Sequence, residues 1–234
     1  MKLDLHLKLI SDGTFGRGDG VAGLIDSEVE HDVTTGLPFL RGRTIKGLLA
    51  EECANTLFAL SKRNPPTHST FESAAGFLFG QAGSTLNDDA MMHVGHGLLP
   101  RELREAIADD VKGSLPHHPP RLTPAEVLES LTAIRRQTAV DEETGATDTG
   151  SLRSLRVVLH ETEFVAELEI TDAHHEGNAQ PNALPLLTAC VLSLRRGGAG
   201  RNRGRGRLNA WLNDASFTAA QFAGFEKLVK EPAQ

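Results

Sequence analysis

No tyrosine occurs in this chain, tryptophan occurs once and cysteine twice, and each scarcity closes a class of function. Without tyrosine, acid–base chemistry falls to histidine, carboxylates or lysine. Cys53 and Cys190 both lie in apolar, helix-like stretches where a buried thiol serves as a small hydrophobe, a usage that fits a reducing cytoplasm. No window approaches the roughly 18 consecutive apolar residues of a membrane span, and Met1–Lys8 alternates where a secretion signal would run continuously apolar. No Gly-x-Ser-x-Gly elbow is present, which removes serine acyl chemistry. Ten histidines invite a metal reading at His93 and His96, His117-His118 and His174-His175. Neighbouring histidines do not normally face one ion, His93 and His96 are expected on opposite faces of a strand, and no cysteine stands near to complete a zinc set. No protein metal motif is expected.

What remains is a 234-residue chain, 39% hydrophobic and 24% charged, which is enough to bury a core without disulfides or a structural metal. The formal net charge of −7 argues against indiscriminate nucleic-acid binding, but a sum hides clustering. Arg195, Arg196, Arg201, Arg203, Arg205 and Arg207 fall within 13 residues, interleaved with five glycines and no acid.

Leu3, Leu5, Leu7 and Leu9 alternate with polar residues, the period of a strand with one buried face. Asp12–Gly23 carries five glycines, enough to let backbone approach a ligand closely. Thr44 is the expected N-cap of a helix to Ser61, with Ile45, Leu48, Leu49, Cys53, Leu57 and Leu60 on one face. Pro65-Pro66 reads as a loop before apolar Phe71–Phe79. Met91–Leu99 reads as a strand, Pro100–Gly113 as a polar helix and Ser114–Arg121 as a loop tip. Thr123-Pro-Ala-Glu126 is a capping box that opens a helix toward Arg136. Leu155–Thr171 reads as a strand hairpin, Pro185–Leu194 as a buried helix and Arg207–Leu212 as a closing strand. The order is that of an α+β ferredoxin-like or RRM-like βαββαβ core with insertions between residues 62 and 150. A sheet of that kind can carry RNA.

Asp26 follows the first glycine-rich loop and precedes Ser27. Alone it reads as readily as a turn former as it does as a carboxylate orienting a ribose hydroxyl or holding a hydrated divalent ion. Asp32 is the second choice for that chemistry, with a turn role open to it as well. Arg41, Arg43 and Lys46 place cations at a helix start, where the dipole favours acids and backbone N–H groups favour phosphate. The arginine–glycine run contains glycines at a dinucleotide-like spacing, but a helix precedes it and a strand follows, the reverse of that fingerprint. Glycines closing backbone on RNA, with arginines neutralising phosphates, suit it better.

Gly23-Leu-Ile-Asp26-Ser followed by Gly36-Leu-Pro-Phe-Leu-Arg41-Gly-Arg-Thr-Ile-Lys46-Gly47 resembles the backbone subunit of type III CRISPR effectors, in the RAMP superfamily and closest to the type III-A form. Leu78-Phe-Gly80, Thr138-Ala-Val-Asp141 and the arginine–glycine loop follow in the family's order. Arg41, Arg43 and Thr44 replace its usual Pro, Ser and Ser, and Glu142 stands where Arg is frequent. The resemblance implies one RAMP domain over 1–234, a lid-like helical segment near 62–135 and a thumb-like hairpin near 136–153. It implies binding of CRISPR RNA through Arg17, Arg41, Arg43, Thr44, Lys46, Arg136, Arg201, Arg203 and Arg205. Asp26 is then the residue that cleaves target RNA with Mg²⁺, in company with other copies of the chain and other type III subunits in the cytoplasm. A non-catalytic backbone or capping subunit is the alternative. A guide-processing ribonuclease, which would use histidine with tyrosine or lysine, fits less well.

Overall fold

Leu3, Leu5, Leu7 and Leu9 all turn into the core from the first strand, which runs through the middle of the main sheet. The computed structural model describes residues 1–18, 20, 25–80, 90–113, 119–148, 150–171 and 180–230. In chain order the elements are β1 (Lys2–Leu9), α1 (Gly42–Arg63), α2 (Pro65–Phe79), β2 (Met92–Val94), α3 (Arg101–Lys112), α4 (Pro124–Leu131), β3 (Thr132–Gln137), β4 (Arg153–Val158), β5 (Glu163–Ile170), α5 (Ala183–Ser193), β6 (Leu208–Leu212) and α6 (Ala215–Lys230).

The main sheet has the order β2-β5-β1-β6 with every neighbouring pair antiparallel. With α1 and α5 as the two crossovers, this is the ferredoxin-like arrangement that the order of elements predicted. Register sets Leu5 opposite both Ala166 and Leu212, so alternate residues of three strands share one buried face. Leu49, Cys53, Leu186, Leu187, Cys190 and Val191 close over that face from α1 and α5.

Between β2 and β5 the chain departs from the core to form α3, α4 and a separate two-stranded sheet of β3 and β4. The expected hairpin over Leu155–Thr171 is therefore divided between two sheets: β4 pairs with β3, and β5 pairs with β1. The link that separates them is tight, with Glu161 at φ 66° and its N–H donated to Leu9 O at 2.8 Å. Residues 136–153 form the outer part of the β3–β4 hairpin, and the paired strands extend inward from there to Thr132 and Val158.

Several boundaries differ from the sequence reading. The helix of the capping box stops at Leu131, because the residues after it pair with β4; the box itself is present, with Thr123 Oγ1 accepting Glu126 N–H. Pro65-Pro66 opens α2 instead of a loop: Asn64 caps the helix, and proline has no N–H to leave unsatisfied in a first turn. Helix α6 has no counterpart in the sequence reading. Asp214 caps its start, and Phe225 meets Phe71 with ring centroids 5.0 Å apart.

Thr44 is not an N-cap. Helix α1 begins at Gly42 with Arg41 in the cap position and no local side-chain cap. The orphan Gly42 N–H donates instead to His96 Nδ1 at 3.0 Å, a cap supplied from the loop after β2. That exchange requires close approach of the two backbones, and a Cβ on Gly42 would fall 2.1 Å from Val94 O and 2.8 Å from Gly95 O. Alanine in a helix is ordinarily better than glycine by about 0.5–1 kcal/mol. Here Gly42→Ala is expected to reverse that sign and destabilise by about 1–3 kcal/mol, read as a lower urea midpoint at unchanged slope; a higher midpoint would refute the close approach.

Candidate nucleic-acid interface

Asp26 stands on a short extended segment gripped from two sides. On one side the first glycine-rich loop pairs with it: Arg17 N–H donates to Glu28 O at 3.0 Å and Glu30 N–H to Phe15 O at 3.2 Å. Gly20 approaches so closely that a Cβ there would fall 2.1 Å from Ile25 O. On the other side Asp26 and Ser27 lie parallel to the free edge of β4. Asp26 N–H donates to Ser154 O at 2.8 Å, Arg156 N–H to Ser27 O at 3.0 Å, and Ser154 N–H to Asp26 Oδ2 at 2.6 Å. The Asp26 carboxylate is thus exposed, yet anchored to the hairpin by one oxygen. Gly23 and Leu24 of the motif, and His117, His118, His174 and His175, lie outside the described residues.

Two buried glutamates follow Asp26 on the same segment. Glu28 Oε1 is 2.8 Å from Arg156 Nε of β4, and Glu30 Oε1 is 2.6 Å from Arg41 Nε at the start of α1. Arg156 Nε and Glu30 Oε1 each lack an aligned hydrogen bond, so these are ionic contacts first. Arg41 is therefore half-committed to Glu30. Lys46, expected beside the helix start, turns to β2 and donates from Nζ to Met92 O at 2.9 Å, and burial pulls its pKa down. With Gly42 N–H given to His96 and Thr44 N–H to Arg41 O, the protein itself fills much of the phosphate site expected there. Arg43 and Thr44 remain exposed.

The arginine–glycine loop folds against the first glycine-rich loop. Ala199 N–H donates to Thr14 O at 2.8 Å and Gly206 N–H to Asp12 O at 2.9 Å. Between this loop and the hairpin lies a groove of about 470 Å³ lined by Arg153, Arg201, Arg203 and Arg205 with Gln137, Leu155 and Asn202, and its lining contains no acid. Arg201 makes a two-pronged pair with Glu51 of α1, both contacts at 2.8 Å, which lowers the Glu51 pKa. Arg203 and Arg205 carry no such commitment among the described residues. Arg153 is a groove residue that sequence reasoning did not select; only strand alternation combined with the β3–β4 register could have found it. Arg136 pairs in register with Ser154, on the opposite face of the hairpin from Arg153, with Ser154 between it and Asp26.

The open face of the main sheet is a poor surface for RNA. It carries Asp4, Glu163, Glu167 and Glu169, while Lys2 is paired with Glu167 and Lys8 with Glu161. Its one large aromatic, Trp211, is stacked on His6 with centroids 5.1 Å apart. Asp32 is a turn residue: its Oδ1 accepts from the N–H and hydroxyl groups of both Thr34 and Thr35, which lowers its pKa. Among the described residues no group of three His, Cys, Asp or Glu side chains is placed to hold a metal, and no helix is long and apolar enough to cross a membrane.

Comparison with known proteins bears on the family and the fold. The family model for the RAMP superfamily matches residues 6–209. A chain of the type III-B Cmr-beta complex bound to cognate target RNA, solved by cryo-EM, superposes with a TM-score of 0.61 at 11% identity, covering 95% of this chain and 99% of that one. A chain of the apo state of type III-B Cmr-beta gives a TM-score of 0.57 at 12% identity, covering 92% and 98%. A search of curated proteins by sequence finds no match. At such identities the structural likeness speaks to the fold.

Asp12 joins the hairpin base to the first loop: Arg135 donates from Nη2 at 2.7 Å and Nε at 3.1 Å, and His160 N–H donates at 3.1 Å. Burial favours the neutral acid, but the Arg135 and His160 hydrogen bonds outweigh it and hold the carboxyl below its ordinary value of 3.8. A depressed folded pKa contributes stability that is present above 3.8 and lost as pH falls through the lower folded value. Asp12→Asn is expected to cost about 1–2 kcal/mol at neutral pH, discounted for the exposed Arg135 partner. The gap from wild type should close in denaturation curves taken at progressively lower pH, and a gap that stays constant would count against the ionic role.

Proposed function

The chain belongs to the RAMP superfamily, and from that membership we propose that it is an RNA-binding backbone subunit of a type III CRISPR effector complex that cleaves target RNA with Asp26. The observation that carries this reading is the exposed Asp26 carboxylate held at the edge of a hairpin strand whose neighbouring groove is lined by four arginines. The reading is to type III as a class: the Asp26 motif resembles type III-A subunits, whereas the two matched structures are of type III-B. CRISPR RNA, target RNA, further copies of the chain and other type III subunits are the partners it implies, in the cytoplasm.

In this reading the groove arginines and exposed Arg43 neutralise the guide backbone, and sequence discrimination belongs to base pairing between guide and target. The hairpin acts as a thumb that displaces a target nucleotide, and Asp26 and Arg136 lie beside the distorted step. The Asp26 carboxylate orients the ribose 2′-OH and takes its proton as the oxygen bonds to phosphorus; the P–O5′ bond breaks, leaving a 2′,3′-cyclic phosphate, and the 5′-oxygen takes a proton from water and leaves as a hydroxyl. Mg²⁺ takes one or two carboxylates and fills its shell with water and phosphate oxygens, so a lone exposed carboxylate suits it. Held by Asp26 and RNA phosphates, it would supply neutralisation of the charge developing on the phosphoryl oxygens.

The hydrogen bond from Ser154 N–H to Asp26 Oδ2 favours one alternative, in which Asp26 is structural and the chain is a non-catalytic backbone or capping subunit. The two readings part on Asp26→Ala. In complexes carrying guide RNA, the variant is expected to lose about 10²–10⁴-fold in single-turnover cleavage of complementary RNA, the scale of lost proton transfer, with target binding intact. Cleavage at the wild-type rate would leave only the binding role.

A second measurement concerns the groove. Replacing Arg153, Arg203 and Arg205 together by alanine should weaken RNA binding for every sequence alike and lower the salt slope by roughly 0.7 for each single-strand phosphate no longer neutralised. An unchanged slope would remove the groove from the interface.

A further inference from the structure

Glu28 and Glu30 sit on the same short segment as Asp26, are 4% and 5% exposed, and have no task in the cleavage chemistry. A buried carboxylate–guanidinium pair gains little over apolar side chains of the same size, because desolvation of both charges offsets their attraction. What such a pair does supply is one geometry. Glu28 Oε1 accepts Val29 N–H at 2.9 Å and meets Arg156 Nε at 2.8 Å. Arg156 in turn donates from Nη1 to Thr132 Oγ1 of β3 at 3.1 Å, and its carbonyl accepts from Thr14 Oγ1 at 3.0 Å. One guanidinium thus meets the Asp26 segment and both strands of the hairpin, while its own backbone holds the first glycine-rich loop. Glu30 meets Arg41 two residues further along, at the entry to α1.

Register is what these contacts define. The segment from Ile25 is too short for its backbone bonds to β4 to resist slippage, and a one-residue slip would reverse every side chain. Ser27 would then face where Asp26 stands, and the two glutamates would leave their arginines. We infer that Glu28 and Arg156 are positioning residues: their ion pair holds Asp26 in register with β4, so that the carboxylate moves with the hairpin as one unit. This inference rests on the reading of Asp26 as the cleavage residue, and the control for that reading is built into the test.

The test uses guide-loaded complexes purified through this chain, carrying wild-type, Asp26→Ala, Glu28→Gln or Glu28→Leu/Arg156→Met. Glu28→Gln is expected to cleave at least tenfold more slowly under single turnover with saturating complex, while target Kd stays within twofold. The apolar double variant removes both charges together, so its melting temperature should return to the wild-type value while its cleavage stays at least tenfold slow. A pair that served stability alone would let rate return along with melting temperature, and that result overturns the inference. Asp26→Ala then separates the two levels: if it is inactive while Glu28→Gln cleaves normally, the positioning role fails and the cleavage reading stands. If Asp26→Ala cleaves normally, both fail. Amide exchange on the full chain alone gives a readout without activity. Glu28→Gln should expose the Asp26 and Arg156 amides at least tenfold while leaving β1 amides protected, and unchanged protection at those two amides overturns the inference whatever the complexes do.

Discussion

The stretch from Asp12 to Arg17 makes the contacts on which the whole candidate site depends. It leaves the central strand β1, and its backbone is met from three directions. Gly13 exchanges two hydrogen bonds with Val158 at the base of the hairpin, Thr14 O accepts from Ala199 of the arginine–glycine loop, and Phe15 and Arg17 pair with the Asp26 segment. Such approaches leave no room for side chains. A Cβ on Gly198 would fall 2.4 Å from Thr14 O, and one on Gly206 would fall 1.8 Å from Gly197 O, both at residues with positive φ. Glycine is required there for space and for conformation at once. Because this stretch continues directly from β1, the hairpin, the arginine loop and Asp26 are all referred to the central strand of the core.

Local charge then indicates which side of an acidic protein would suit RNA. The net charge of −7 would repel a polyanion if it were spread evenly. Instead Asp4, Glu163, Glu167 and Glu169 stand together on the open sheet face, where Lys2 and His6 pair with Glu167 and Glu163, and six of the arginines run through the acid-free arginine–glycine loop. The result inverts the familiar use of this sheet, in which aromatic residues on the open face stack bases. Trp211 is the aromatic that such a platform would need, and it is already stacked on His6. The proposed binding surface is instead the loops and hairpin, where glycine permits the backbone approach that a phosphate chain requires.

What the sequence made legible follows from how local each signal is. Alternation in β1, helical spacing in α1 and the capping box of α4 are decided by neighbours within a few residues, and β1, the body of α1 and the start of α4 are where the pattern puts them, although α1 begins before Thr44 and α4 ends at Leu131. The cap of α1 was hidden because its partner is His96, 54 residues away from Gly42. The division of 155–171 between two sheets was hidden because periodicity records which face is buried and says nothing about which strand lies alongside. Helix α6 is the exception, since its signals are local: Asp214 as a cap, followed by three phenylalanines at helical spacing. Among the site residues, Asp26 and the arginine loop were visible as unusual local compositions, whereas the commitments of Arg41, Lys46 and Arg201 to Glu30, Met92 and Glu51 depend on tertiary neighbours. Arg153 lacked any local mark that set it apart from other exposed strand arginines.

Those commitments bear on how binding and cutting would be divided under the proposed function. Arg41, Arg156 and Arg201 each face a glutamate at 2.6–2.8 Å, so their charge is spent largely inside the protein, whereas Arg43, Arg153, Arg203 and Arg205 direct theirs outward. Arginine suits both tasks, since its planar fork pairs with a carboxylate or a phosphate in the same geometry. The inward pairs differ in burial: Arg201 with Glu51 is a surface contact that a phosphate could exchange for at little cost. Arg156 with Glu28 is enclosed, and breaking it would strand a charge in the interior. Under the proposed function, an RNA backbone would therefore rearrange the arginine loop while leaving the Asp26 segment fixed to the hairpin. In the proposed reading, adaptable grip and fixed chemistry then fall to two ion pairs of the same composition, and their difference in solvent exposure is what separates the roles.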